Sequence, residues 1–163
     1  MLALEYRRIE AKEGHAAGRA LLKEMTERET GAPMPPVLIT DRGKPYFAHG
    51  AVHFSISHTK SHVFCALSEK EIGIDAEETD REISLNLAQK ILSSAEFAQY
   101  EAAQDKRLAL LTFWVLKEAQ AKCGGTGLQG YPNHTKFSLD DPRVTEIDGC
   151  LVAVIEKEKD DAL

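Results

Sequence analysis

The hydrophobic positions of the chain switch between two periods, and each switch marks an element. Over residues 1–9, Leu2, Leu4 and Tyr6 alternate with polar residues, the period of a half-buried strand. From about Gly14 the spacing lengthens. Ala17, Leu21 and Met25, with Leu22 beside them, form one helical stripe, and Gly31 stops it with Pro33, Pro35 and Pro36 close behind. Residues 37–39 predict a short strand ending in a turn over 40–45. Residues 52–59, 62–67 and 72–77 read as three strands joined by short turns, which predicts an antiparallel meander. Two short helical stretches follow, one through Leu85, Leu87, Ala88, Ile91 and Leu92, the other through Phe97 and Tyr100. The second opens on Ser93-Ser94-Ala95-Glu96, the pattern of a capping box. The longest helix is predicted from about Lys106 to Cys123, ending at Gly124-Gly125. The tail alternates again, predicting strands over 137–139 and 149–155. The glycine-rich stretch 124–130 reads as a flexible connection and 157–161 as a charged, frayed end.

Short strands and helices interleaved in this way, in 163 residues of which 43% are apolar, predict a single α+β domain with antiparallel strands. The net charge of −6 argues against a general nucleic-acid binder, which carries a basic excess. The three cysteines have no metal-type spacing among themselves or with the six histidines, so they read as reduced thiols and no zinc site is legible. No apolar run approaches the roughly 18 residues of a membrane span, and the N-terminus lacks a signal-peptide pattern. No membrane partner and a cytoplasmic location are therefore expected.

The chemistry concentrates in Ile72-Gly73-Ile74-Asp75-Ala76-Glu77. Strand side chains alternate faces, so Asp75 and Glu77 project to the same side, away from the two isoleucines. Two carboxylates so placed repel each other and resist desolvation unless a cation joins them. The helix carrying Phe113-Trp114-Val115-Leu116-Lys117-Glu118-Ala119-Gln120-Ala121-Lys122 supplies one more acid and two lysines. Trp114, Glu118 and Lys122 recur every four residues and share a face, with Lys117 about 100° away. Three carboxylates with two lysines suit a divalent cation gripping a phosphorylated ligand, the lysines neutralising the remaining phosphate charge. Each part also has a plain reading: an exposed strand end, a surface Glu118–Lys122 pair, a turn lysine at Lys44, a structural His58 at a strand end, and a solvated Arg19 on the first helix. Residues 124–130 lack the lysine and serine order of a phosphate-cradling loop.

Three blocks together resemble the Sfp-type 4′-phosphopantetheinyl transferases: Gly43-Lys44-Pro45, Phe54-Ser55-Ile56-Ser57-His58, and Gly73-Ile74-Asp75-Ala76-Glu77 followed by Phe113-Trp114-Val115-Leu116-Lys117-Glu118-Ala119 and Lys122. The last pair, with its spacing, is the specific one, and the resemblance spans roughly residues 15–140. It implies an enzyme that moves the phosphopantetheine arm of coenzyme A onto a serine of an acyl or peptidyl carrier protein, releasing adenosine 3′,5′-bisphosphate, in fatty-acid, polyketide or nonribosomal-peptide biosynthesis. It implies Asp75, Glu77 and Glu118 as Mg2+ ligands, and Glu118 or a water on the metal as base for the serine proton. Lys117 and Lys122 would contact phosphate, Lys44, Ser57 and His58 the nucleotide end, and Arg19 would reach coenzyme A. The implied fold is two similar α+β halves, here a reduced first half over 1–68 and a second over 69–163, in a monomer, with self-association as the alternative. The chain departs from the pattern in a short N-terminal half and in Ser55, where the family usually has asparagine. Two other readings are a non-catalytic relative that binds coenzyme A or a carrier protein, and a Mg2+-dependent phosphohydrolase.

Overall fold

A computed structural model describes residues 1–125 and 135–158; the predicted flexible connection and the charged end fall mostly outside them. The described chain is α+β with antiparallel sheets. In chain order it runs β1 (Ala3–Arg8), α1 (Gly14–Thr30), β2 (Val37–Ile39), β3 (Pro45–Phe47), β4 (His53–His58), β5 (His62–Ser68) and β6 (Ile72–Glu78). A 3-10 turn (Leu85–Leu87) then leads into α2 (Ala88–Ile91), α3 (Ser94–Ala102), α4 (Lys106–Gly124), β7 (Val144–Ile147) and β8 (Cys150–Glu156).

Two three-stranded sheets carry the molecule, ordered β1-β5-β4 and β6-β8-β7, with β2-β3 as a separate hairpin. Strand alternation sorts their side chains into three apolar clusters. Val63, Cys65 and Leu67 of β5 join Leu21, Leu22 and Met25 of α1. Phe64 and Ala66 on the opposite face of β5 meet Ile72, Ile74 and Ala76 of β6 and Val152 of β8, which welds the two sheets together. Leu110, Phe113, Leu116 and Ala119 of α4 cover the far side of the second sheet with Leu151, Ala153 and Ile155.

The predicted meander holds only for its first hairpin. Strands β4 and β5 pair antiparallel, but β5 already has β1 on its other edge, and β6 pairs with β8 instead. Side chains close the seam between β4 and β6: Ser55 Oγ accepts from the Ile74 N–H at 3.0 Å and Ser57 Oγ from the Ala76 N–H at 3.1 Å. Two serines two residues apart thereby satisfy edge donors that a ladder would otherwise take.

Two further strand expectations are corrected. Residues 137–139 are not a strand: Phe137 is a buried anchor whose N–H bonds Glu96 Oε2 at 2.9 Å, and the partner of β8 is β7 at Val144–Ile147. Pro45, expected in a turn, begins β3, where a strand's first residue tolerates a missing N–H.

Candidate functional site

The acid run is placed by a glycine. A Cβ on Gly73 would lie 2.0 Å from the Ala119 carbonyl oxygen and 2.4 Å from the Cys123 nitrogen. Its absence therefore lets α4 lie directly on β6. That approach brings Glu118 and Lys122 to the face of β6 carrying Asp75 and Glu77. The Lys122 ammonium donates to Asp75 Oδ1 at 3.1 Å and to the Ile74 carbonyl at 3.0 Å. Ser57 Oγ completes this side, 3.4 Å from Asp75 Oδ1.

The other oxygen of Asp75 has no such partner. Among the described residues, Asp75 Oδ2 is one of two buried side-chain polar atoms without a hydrogen bond. Burial pushes the Asp75 carboxyl up to about 6, with Glu118 adding repulsion, even though Lys122 and Ser57 pull the other way. The Glu77 carboxyl is also raised, by burial and then by Asp75, despite Arg81 and the Trp114 side chain. Glu118 is raised chiefly by burial, then by Glu77. Three carboxyls held above their ordinary range, one with an unsatisfied oxygen, form a donor set that Lys122 and Arg81 neutralise only in part. All-oxygen donors suit a hard cation, and a small number of carboxylates fits Mg2+ completed by ligand phosphate and water. On this observation the residues fit the metal.

Beside the acids lies a cavity of about 210 Å3 lined by Gly43, Lys44, Ser55, Ile56, Glu118 and Lys122, among others. Residues from all three sequence blocks therefore meet at one place. The Lys44 ammonium bonds the Cys123 carbonyl at 2.8 Å, at the C-terminal end of α4 where the helix dipole is negative. Gly125, in the left-handed conformation at φ 69°, ends that helix against the Lys44 stem.

A profile of the 4′-phosphopantetheinyl transferase superfamily matches residues 71–157, more than half of the chain. The chain belongs to this superfamily. The 4′-phosphopantetheinyl transferase gsp of Aneurinibacillus migulanus is 29% identical over 68% of this chain and 48% of its own length. The 4′-phosphopantetheinyl transferase Sfp of Bacillus subtilis is 39% identical over 47% and 34%, and AcpT of Salmonella typhimurium 32% identical over 67% and 57%. The chain thus spans about half the length, or less, of the first curated relatives it matches.

Within the superfamily match lie Asp75, Glu77, Lys117, Glu118 and Lys122; Arg19, Lys44, Ser57 and His58 lie before it. The structure does not bring all nine to the cavity. Lys117 turns away from it: its side chain is 1% exposed and bonds Glu96 at 2.7 Å. Glu96 also closes the capping box with Ser93 and accepts from Thr135 Oγ1 at 2.9 Å. Lys117 is thus a structural cation in this fold, because the step of about 100° from Glu118 turns it toward α3. The Ser57 hydroxyl is engaged in the β4–β6 seam. His58 is exposed at the end of β4 with its ring against Gly14, where a Cβ would come within 2.5 Å. Neither His58 nor the half-buried Arg19 lines the cavity.

Sequence reasoning missed Arg81, whose guanidinium pairs with Glu77. It stands four residues after Glu77 but beyond the strand, where no periodicity pointed to it. Ser55, noted only as a departure from the family pattern, both closes the seam and lines the cavity.

Proposed function

We propose that this chain is a Mg2+-dependent 4′-phosphopantetheinyl transferase that takes coenzyme A as donor and the serine of an acyl or peptidyl carrier protein as acceptor. The observation that carries the reading is the unsatisfied, buried Asp75 Oδ2 at the head of three raised carboxyls, next to a cavity bearing two lysines. Membership of a superfamily whose relatives bear this activity in their names supports it.

Asp75, Glu77 and Glu118 would hold the cation, which supplies charge neutralisation at the pyrophosphate of coenzyme A when bound. Lys122 then leaves Asp75 Oδ1, or shares it, and offers its ammonium to a phosphate oxygen. Lys44 does the same from the opposite wall, exchanging the Cys123 carbonyl for an anion. Glu118 lines the cavity and would take the proton of the acceptor serine. The serine oxygen attacks the phosphorus bearing the pantetheine arm, its proton passes to Glu118, and adenosine 3′,5′-bisphosphate leaves with the electron pair of the broken P–O bond. Lys117 holds α3 to α4 beneath the site and contacts no phosphate, while His58 and Arg19 are available to the nucleotide only beyond the cavity. The reaction needs no oxidant and no second substrate beyond the carrier serine.

The test is coenzyme A binding by calorimetry, with Mg2+ and with EDTA, on the wild type and Glu118→Ala. Binding that needs Mg2+ and falls at least tenfold in the variant is expected. Tight binding indifferent to both would replace the enzyme by a non-catalytic coenzyme A module.

A further inference from the structure

On the face of β6 opposite the acid trio, a histidine, a cysteine and a glutamate from three strands converge. His62 opens β5, Glu78 ends β6, and Cys150 opens β8 directly across from Glu78 in the ladder. Their donor atoms His62 Nδ1, Cys150 Sγ and a Glu78 carboxylate oxygen all lie within 4.8 Å of one another. Cys150 Sγ is 3.6 Å from His62 Nδ1 and 3.8 Å from Glu78 Oε2. A tetrahedral zinc with its usual bond lengths separates neighbouring ligand atoms by about 3.5 Å, so these edges match a site already at metal-binding size.

Two of the three ligands are also held from behind. His62 Nε2 lies 2.7 Å from Asp148 Oδ2. A carboxylate only accepts, so Nε2 carries the hydrogen and, in the neutral ring, Nδ1 presents its lone pair toward Cys150. Asp148 is itself fixed by Arg8, whose Nε and a terminal nitrogen donate to its two oxygens at 2.7 and 2.8 Å. Glu78 Oε1 accepts from the Thr59 hydroxyl at 2.8 Å, leaving Oε2 toward the sulfur. Carboxylate-oriented histidine is the usual outer shell of a zinc ligand. Cys150 is fully buried and His62 6% exposed, with Glu78 half-buried at the edge of the group.

We propose that His62, Glu78 and Cys150 form a second metal centre for a borderline-soft divalent ion of the zinc type, clamping the first sheet to the second. Mixed N, S and O donors select such an ion over Mg2+, which suits the acid trio instead. The Ser61 hydroxyl, which lies between His62 Nδ1 at 2.8 Å and Glu78 Oε1, turns aside to take the fourth position or gives way to a water. Cysteine binds such an ion as the thiolate, so the ion takes the place of the Cys150 proton. The sequence hides the site, since positions 62, 78 and 150 make no motif.

Cobalt(II) titration of the full chain tests this, because a thiolate ligand gives cobalt an intense near-ultraviolet charge-transfer band that carboxylate sites lack. The wild type and Asp75→Ala should show the band at about one cobalt per chain, and zinc should displace it. Cys150→Ser should lose it, while Cys65→Ser and Cys123→Ser keep it. Asp148→Asn, which leaves all three ligands in place, should weaken cobalt affinity by about 10–100-fold and so decides the matter if Cys150→Ser does not fold. No band in the wild type, a band that survives Cys150→Ser, or unchanged affinity in Asp148→Asn overturns the proposal.

Discussion

Exchanging Asp75 for asparagine should make the metal-free protein more stable while removing its metal. Burial raises the Asp75 carboxyl to about 6 from an ordinary 3.8, with the attraction of Lys122 already included. The folded state therefore binds the proton more tightly than the unfolded one. Its contribution to stability is full below the unfolded pKa and is lost as pH rises through about 6. Two pH units correspond to about 3 kcal/mol. Asparagine cannot ionise, but its amide leaves a polar group where Oδ2 lacks a partner, which reduces the expected gain to about 2 kcal/mol. For a chain of this size that is a rise in Tm of about 4–8 °C at about pH 8 in EDTA. The loss of stability between about pH 4 and 7 should also become shallower, the remainder coming from Glu77 and Glu118, whose carboxyls are raised in the same direction. With saturating Mg2+ the order should reverse, because only the wild type gains the ion's binding free energy. Urea unfolding followed by Trp114, the single tryptophan, reads all three arms. A variant less stable than the wild type in EDTA at about pH 8, or with an unaltered pH profile, refutes the assignment of a destabilising charge to this site.

Other perturbations separate the parts. Gly73→Ala places a methyl inside the Ala119 carbonyl contact, so α4 must lift; a loss of at least about 2 kcal/mol and of Mg2+ affinity is expected in unfolding and calorimetric titrations. Lys117→Ala leaves Glu96 buried without its cation and should cost about 3–5 kcal/mol in chemical denaturation, whereas Lys117→Met with Glu96→Gln should recover most of it. Ser57→Ala strips a partner from the Ala76 N–H and should cost about 1–3 kcal/mol. Lys44→Ala should weaken coenzyme A binding at least tenfold while shifting Tm by only a few degrees, since its ammonium bonds a helix-end carbonyl that water can satisfy.

The parts of the site legible in the sequence are those set by local geometry. Alternation along β6 separates Asp75 and Glu77 from Ile72 and Ile74, and the four-residue spacing along α4 gathers Trp114, Glu118 and Lys122. Both follow from side-chain periods that any strand or helix imposes. The capping box at Ser93 and Glu96 was equally local, but nothing near it in sequence said that Glu96 would also receive Lys117, Thr135 and the Phe137 N–H. The serine seam between β4 and β6 was hidden for a related reason. It depends on which strand edges remain open once β1 and β8 have paired, a matter of topology between distant segments. The short strands at Pro45–Phe47 and Val144–Ile147 carry too few residues for alternation to outweigh their turn-forming neighbours. Phe137 and Leu139 alternate as a strand would, yet serve as anchors over Glu96 and α4.

The central claim is most directly tested by the intact mass of an apo acyl carrier protein incubated with coenzyme A, Mg2+ and this chain. A gain of one phosphopantetheine on the carrier serine, abolished by EDTA and by Glu118→Ala, is the predicted result. An unchanged carrier mass, under conditions where the chain binds coenzyme A and Mg2+ and a known transferase modifies the same carrier, would contradict it.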